Sequence, residues 1–128
     1  MKPKTAAERA MDISVEAASV GFDWNTAEDV LDKLQEELDE IREAVQNRDD
    51  IAHIAEEVGD FFFALINFNR KMHIDPDLAF HAGVDKFERR YRSLETMIQQ
   101  SGRTPSELSQ DELERVWKIV KEGEKNAR

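Results

Sequence analysis

Two pairs of carboxylates are the residues of this sequence whose type and spacing could do chemistry. Glu37 and Glu40 form one pair, and Glu57 and Asp60 form the other. Residues three apart in a helix project from one face, so each pair can present two carboxylates together. Hard oxygen ligands of this kind, without histidine or cysteine, suit Mg²⁺ or Mn²⁺. The chain holds 28 acidic residues, however, and pairs at this spacing also arise as ordinary surface charge.

The second pair lies in residues 50–72, which we predict to form one helix that is apolar on nearly every side. A single polar line falls within about 60° of Asp60 on the helical wheel. This line consists of His53, Glu56, Glu57, Asp60, Asn67 and Lys71. A helix that is apolar almost all round is normally buried, and buried carboxylates need partners. The polar line is therefore predicted to face a cavity, a metal ion or other polar side chains.

Two helices are predicted before this stretch. The first covers about residues 5–20, because apolar residues recur there at helical spacing until Gly21. The second begins at Asn25 or Thr26, where Asn25 and Glu28 have the spacing of a capping box. The turn between the two helices carries two aromatic rings, which either close the end of the core or stack on a base.

Only four residues, NRDD, separate the second helix from the central one, and so short a link favours an antiparallel helical hairpin. Glu37 and Glu40 lie on the flank of the second helix's apolar stripe. In a hairpin they can reach Glu57 and Asp60, so that four carboxylates converge. Gly59 costs about 1 kcal/mol inside a helix relative to alanine, and a close helix contact beside Asp60 would account for it.

Two further helices supply positive charge. Asp75 and Pro76 are predicted as the N-cap and first residue of a fourth helix. That helix carries a cationic cluster of Lys86, Arg89, Arg90 and Arg92. Such a cluster is either a solvated face or, in so acidic a protein, a place for a phosphate. Ser109 and Glu112 have capping-box spacing for a last helix, in which Trp117 is predicted to be a core or interface residue.

Composition excludes several classes of function. The 128 residues fit one domain, 1–128, and the helical patterns predict an all-α bundle of about four to five helices. A net charge of -10 argues against a nucleic acid polymer as partner. The absence of cysteine excludes disulfides, thiolate zinc sites and thiol nucleophiles. We see no signal-peptide pattern, and the longest apolar run is too short to span a bilayer, so we expect a cytoplasmic protein with no membrane partner.

Two other interpretations of the acidic residues are open. A carboxylate-bridged di-iron bundle needs Glu-x-x-His on two helices, and the nearest match, Asp50 to His53, occurs once. A non-catalytic helical dimerisation or adaptor module requires no metal. That module predicts that Asp60 pairs with a cation: Lys33, Lys71 or Arg90.

Several blocks of the sequence, taken in order, closely resemble one known family. These blocks are LQEELDEI, EEVGDFFFALINF, DKFERRYRSLE and LERVWKIVK, within a match from about position 21 to Lys121. They are similar to the MazG family of nucleoside triphosphate pyrophosphohydrolases, in the all-α NTP pyrophosphatase group. The family signature Glu-Glu-x-x-Glu followed by Glu-x-x-Asp is met here by Glu36, Glu37, Glu40, Glu57 and Asp60.

The resemblance implies a role for each matched residue. Glu37, Glu40, Glu57 and Asp60 would bind Mg²⁺, with Mn²⁺ as a possible substitute. Contacts to the nucleotide or its phosphates would come from Lys86, Arg90, Trp117 and Lys121. Glu36 would activate water or support the metal ligands, and Asn67 would complete the pocket.

The resemblance also implies a reaction and an assembly. The expected reaction is hydrolysis of a nucleoside triphosphate between its α and β phosphates, which gives a nucleoside monophosphate and pyrophosphate. Family members are generally homodimers of intertwined helices, often with two such domains in one chain. This sequence looks most like the C-terminal domain, and we expect a homodimer that completes the helical bundle.

Overall fold

A computed structural model describes residues 2–126, and these residues form five α-helices and one short 3₁₀ helix. The helices are α1 (Ala6–Ser19), α2 (Ala27–Gln46), α3 (Ile51–Met72), α4 (Pro76–Gln100) and α5 (Gln110–Asn126), with the 3₁₀ helix at Pro105–Glu107. Residues 2–126 contain no strand. The all-α prediction is therefore confirmed, and each helix end that was predicted lies within a residue or two of its predicted position.

Local signals set the helix ends, as the sequence indicated. Asp75 caps α4, since its carboxylate accepts a hydrogen bond from the Leu78 backbone N–H at 3.0 Å. Ser109 and Glu112 form the predicted capping box of α5, each side chain accepting from the other residue's backbone N–H at 3.2 and 3.1 Å. After α1, Gly21 adopts a φ of 89°, a left-handed conformation that glycine tolerates at a helix C-terminus.

The predicted capping box of α2 is wrong by one residue. Thr26, rather than Asn25, takes the extended conformation that an N-cap requires. Its hydroxyl accepts from the Asp29 N–H at 3.1 Å, and the Asp29 carboxylate accepts from the Thr26 N–H at 3.2 Å. Glu28 therefore falls one position too early to close the box.

Two compact units divide the chain, Met1–Ala79 and Phe80–Arg128. In the first unit, α3 packs against both α1 and α2. The most deeply buried residues there are Ser14, Val30, Glu37, Ala44, Ala64 and Asn67. In the second unit, a small core holds Leu94, Ile98 and Val120, against which Leu108, Leu113, Val116 and Trp117 pack. Acidic residues outnumber basic ones by more than two to one in the first unit, whereas the two types are nearly equal in the second.

Much of α3 is open rather than buried as predicted. The Phe62 and Phe63 side chains are 62% and 42% exposed. The reason is that within the first unit α1 and α2 cover only part of the helix circumference. The close helix contact predicted at Gly59 is also absent, because a Cβ atom placed there would meet nothing within 4 Å.

No helix of residues 2–126 is both long enough and apolar enough to cross a membrane.

The loop between α1 and α2 is fixed to the C-terminal end of α3 by charge. Asp23 accepts hydrogen bonds from Arg70 Nη2 at 2.5 Å and from Lys71 Nζ at 3.2 Å. Lys71 Nζ also donates to the Trp24 backbone carbonyl at 2.8 Å. The Arg70 guanidinium, followed by the Lys71 ammonium, lowers the pKa of Asp23 to about 2. The loop is thus held by an acid that is ionised in the folded protein at neutral pH.

We predict that Asp23→Asn lowers the free energy of unfolding by about 1–2 kcal/mol at pH 7, because the folded state loses the charged hydrogen bonds that Arg70 and Lys71 donate to the carboxylate. The Asp23 pKa is lower in the folded protein than in the unfolded chain, so this stabilisation is present above about pH 4 and is lost as the pH falls towards 2. Urea unfolding at a series of pH values measures the difference. Asp32→Asn, which neutralises an exposed acid of α2, is the control. If the difference in unfolding free energy between Asp23→Asn and the wild type were as large at pH 2 as at pH 7, ionised Asp23 would not be its source.

Candidate active site

The α2–α3 hairpin brings three of the predicted metal ligands together. The four-residue link leaves Glu40 and Glu57 at the same distance from the turn, so antiparallel pairing sets them side by side. Glu37, Glu40 and Glu57 each offer one carboxylate oxygen, and these three oxygens lie within 4.8 Å of one another. We call this set the acidic cluster.

The acidic cluster contains two buried oxygens without hydrogen-bond partners. Glu37 is only 6% exposed, and its Oε2 atom has no partner among the described residues. Glu57 is half-buried, and its Oε2 atom is unpaired in the same sense. A buried carboxylate oxygen without a partner is unfavourable, and three carboxylates at this distance repel one another. The donor set therefore fits a hard divalent cation, which would satisfy the unpaired oxygens and offset the repulsion.

Two cationic or polar side chains border the cluster. Lys33 Nζ lies 3.1 Å from Glu37 Oε1 and 3.6 Å from Glu36 Oε2, and the bond to Glu37 raises the Lys33 pKa. His53 Nε2 lies 3.6 Å from Glu57 Oε1. Sequence reasoning missed the link between Lys33 and Glu37, although their spacing of four residues along a helix was a signal for it. Lys33 offsets part of the negative charge and leaves Glu37 Oε2 free.

Asp60 lies outside the acidic cluster. It is exposed on α3, one turn after Glu57, and it makes no ion pair among the described residues. The adaptor-module interpretation expected Asp60 to pair with a cation. Each of the three cations it named bonds another acid instead, since Lys33 binds Glu36 and Glu37, Lys71 binds Asp23, and Arg90 binds Glu124. Glu36 is also exposed and touches the site only through Lys33.

Asn67 lies in a buried hydrogen-bond network between α1 and α3, with 2% of its surface exposed. Its Oδ1 atom accepts from Ser14 Oγ at 2.5 Å, and its Nδ2 atom donates to the Phe63 carbonyl at 3.1 Å. Arg70 Nε donates to the same Ser14 hydroxyl at 2.5 Å. The amide is thus occupied in joining two helices. The predicted part of Asn67 in a substrate pocket stays a prediction.

The predicted phosphate and nucleotide contacts lie in the second unit. Lys86 and Arg90 are one turn apart on α4, and Trp117 and Lys121 are one turn apart on α5. The Trp117 ring packs 5.2 Å from the Phe87 ring and borders the core of this unit. Lys86 and Lys121 are exposed. Sequence reasoning missed Glu124 on α5, which bonds both Arg89 and Arg90.

We predict that Glu57→Gln raises the melting temperature by about 3 °C in the presence of a chelator, because it removes one of three repelling charges. Adding Mg²⁺ should stabilise the wild type by mass action and leave Glu57→Gln unchanged. Differential scanning fluorimetry with and without the metal measures both effects. Glu43→Gln, an exposed acid of α2 outside the cluster, should follow the wild type in its response to Mg²⁺. A lower melting temperature for Glu57→Gln in chelator would show that the carboxylates are not under strain.

Comparison with known proteins agrees with the geometry. Residues 25–94 match the MazG nucleotide pyrophosphohydrolase domain. The chain is 34% identical over 119 residues to the nucleoside triphosphate pyrophosphohydrolase/pyrophosphatase MazG of Thermotoga maritima, which covers 93% of this chain and 45% of that protein. It is 38% identical over 117 residues to the nucleoside triphosphate pyrophosphohydrolase of Escherichia coli K12, covering 91% of this chain and 44% of that protein.

A third relative, the uncharacterized protein YabN of Bacillus subtilis, is 32% identical over 71 residues, which cover 56% of this chain and 14% of that protein. The chain thus spans less than half the length of these relatives. The domain match includes α2, α3 and most of α4, and therefore all three residues of the acidic cluster. On this match, the chain belongs to the MazG nucleotide pyrophosphohydrolase family.

Proposed function

We propose that this chain hydrolyses ribo- or deoxynucleoside triphosphates between the α and β phosphates, with Mg²⁺ as cofactor, to give a nucleoside monophosphate and pyrophosphate. The acidic cluster is the observation that carries the proposal. Two of its buried carboxylate oxygens are unpaired, in a chain of the MazG nucleotide pyrophosphohydrolase family. Two relatives that cover most of the chain are named as nucleoside triphosphate pyrophosphohydrolases.

Each group of residues has a distinct part in the proposed reaction. Glu37, Glu40 and Glu57 hold the divalent cation, and Asp60, one turn from Glu57, completes the ligand set; Mn²⁺ could substitute. When bound, Mg²⁺ supplies a Lewis acid that polarises phosphate oxygens and lowers the pKa of a water molecule. We assign to Glu36, which is exposed beside Lys33, the role of accepting a proton from water or of supporting its neighbour Glu37.

The cations of the second unit have a separate part in the proposed reaction. We assign Lys86, Arg90 and Lys121 to the phosphates, where positive charge stabilises the developing negative charge of the leaving pyrophosphate. Trp117 presents a half-buried ring that could contact the base. Asn67, whose amide also joins α1 and α3, completes the pocket in this proposal.

We also propose that a second copy of this chain covers the open side of α3. A groove between α1 and α3 is lined by apolar residues, which are Ala6, Ala7, Ala10, Ile13, Gly59, Phe62, Phe63 and Ile66. Two basic and two acidic side chains, Lys4, Arg9, Asp12 and Glu16, border it. Large exposed apolar patches with a polar rim are typical of interfaces, and a rim with both charges can complement itself across a twofold axis.

The enzymatic proposal is tested by product identification with a panel of nucleoside triphosphates. We expect pyrophosphate and monophosphate to appear with Mg²⁺ and not with chelator. Glu57→Gln and Asp60→Asn should each reduce turnover about 100-fold or more, because each removes a metal ligand. Glu43→Gln should retain wild-type turnover. If Asp60→Asn kept full activity at saturating Mg²⁺ while Glu57→Gln lost it, the ligand set would be the three-residue acidic cluster alone. Unreacted triphosphate across the panel, with folded protein and Mg²⁺, would refute the activity.

The homodimer is tested by light scattering after size-exclusion chromatography. We expect the wild type to have twice the mass of one chain. Phe62→Glu should be monomeric or should dissociate at micromolar concentration, because a charge would have to be buried in the interface. Val20→Glu, which changes an apolar residue outside the groove that is 81% exposed, should remain dimeric. A monomeric wild type at high concentration would contradict the proposal.

A further inference from the structure

A single carboxylate of α5 joins two neighbouring arginines of α4. Glu124 Oε1 accepts from Arg89 Nε at 3.0 Å, and Glu124 Oε2 accepts from Arg90 Nε at 2.8 Å. Arg90 and Glu124 are mostly buried, whereas the Arg89 side chain is 57% exposed. We call these three residues the Arg–Glu–Arg triad. Its two guanidiniums are neighbours in sequence and would repel each other without the acid between them.

The geometry of the triad leaves most of its hydrogen-bond donors free. Each guanidinium has five N–H donors in a planar fork. In both Arg89 and Arg90 the bond to Glu124 uses Nε, and the Nη atoms have no hydrogen-bond partner among the described residues. A pair of Nη donors matches two oxygens of a phosphate bidentately. The acid therefore bonds both arginines through Nε and leaves their Nη donors, which suit a phosphate, unpaired among the described residues.

The triad belongs to the same side of the α4–α5 pair as the predicted substrate contacts. On α5, Trp117, Lys121 and Glu124 follow one another at intervals of four and three residues, so they share one helix face. Trp117 packs on Phe87 of α4 at one end of this face, and Glu124 bonds Arg90 of α4 at the other. Lys121 lies between these two fixed points. This helix face is thus cationic overall, and it contacts α4 at both of its ends.

We infer that Glu124 is a positioning residue that aligns Arg89 and Arg90 as a paired clamp for the pyrophosphate part of the substrate. The inference rests on the proposed function and adds Arg89 as a second phosphate contact beside Arg90. The two guanidiniums hold the pKa of Glu124 at about 2, so the acid is ionised throughout the neutral range. If Glu124 only competed with a phosphate for the two arginines, its carboxylate would bond their Nη atoms rather than their Nε atoms.

Isothermal titration of the full chain with inorganic pyrophosphate, in the presence of a chelator, tests the clamp without the metal site. We expect Glu124→Gln to weaken pyrophosphate binding about fivefold, because two long side chains must then be ordered by the ligand. This direction opposes simple electrostatics, since removing a negative charge beside a cationic site should tighten anion binding. Glu122→Gln, an exposed acid of the same helix, is the matched control and should bind within twofold of the wild type. Tighter or unchanged binding by Glu124→Gln would overturn the inference.

A double-mutant cycle separates positioning from a general structural role. If Glu124 acts through Arg90, then Glu124→Gln should cost much less affinity in an Arg90→Lys background than in the wild type, because a lysine has no Nε–H fork to align. If the losses of pyrophosphate affinity in Glu124→Gln and Arg90→Lys were fully additive, the inference would be overturned. Arg89→Gln changes an exposed side chain and should weaken pyrophosphate binding by a similar factor even if Glu124→Gln proves unstable. Wild-type affinity in Arg89→Gln would remove Arg89 from the clamp.

The two proposals fail in different ways. If pyrophosphate binds with the expected pattern in chelator but no triphosphate is hydrolysed with Mg²⁺, the proposed activity is wrong and the clamp stands as an anion site. If triphosphate is hydrolysed but the wild type binds no pyrophosphate in chelator, the clamp is wrong and the activity stands.

Discussion

Mutual repulsion among Glu37, Glu40 and Glu57 is the constraint around which the first unit is built. The three carboxylate oxygens lie within 4.8 Å of one another, and water screens the exposed Glu40 more than the buried Glu37 and the half-buried Glu57. Within the cluster, Lys33 bonds only one oxygen of Glu37. The hairpin of α2 and α3 tolerates this cost because other contacts keep its helices together. Helix caps at Thr26 and Asp50 begin both helices with satisfied backbone donors.

Hydrogen bonds at the C-terminal end of α3 stabilise the first unit and help to offset this repulsion. Asn67 and Arg70 bind the Ser14 hydroxyl of α1, and Arg70 and Lys71 bind Asp23 in the following loop. These bonds are buried or half-buried and fully satisfied, in contrast to the cluster at the other end. The first half of α3 thus carries Glu57 with its unpaired oxygen, and the second half carries a well-bonded network, a division typical of a functional site and its support.

The sequence predicted features that depend on nearby residues. Helix ends at Gly21, Asp75 and Ser109 follow from capping chemistry within a few positions, and the approach of Glu40 to Glu57 follows from the length of one link. The exposure of Phe62 in the single chain was not predicted, because an amphipathic pattern shows which side of a helix is apolar and not what covers it. Glu124 was missed because its bonds to α4 cross more than thirty positions and depend on how two helices pack. The place of Asp60 outside the cluster likewise depends on side-chain packing rather than on its spacing from Glu57.

The uneven distribution of charge between the two units has a kinetic consequence. The first unit, with its large acidic excess, produces a negative potential that attracts divalent cations and repels a free nucleoside triphosphate. The nearly neutral second unit, with its exposed lysines and the unpaired Nη donors of Arg89 and Arg90, does not share that repulsion. Under the proposed function, the long-range field therefore imposes an order of arrival, in which the cation enters first or accompanies the nucleotide as a complex of lower charge. Because screening by salt shortens this field to about 10 Å at 0.1 M, that ordering weakens as ionic strength rises.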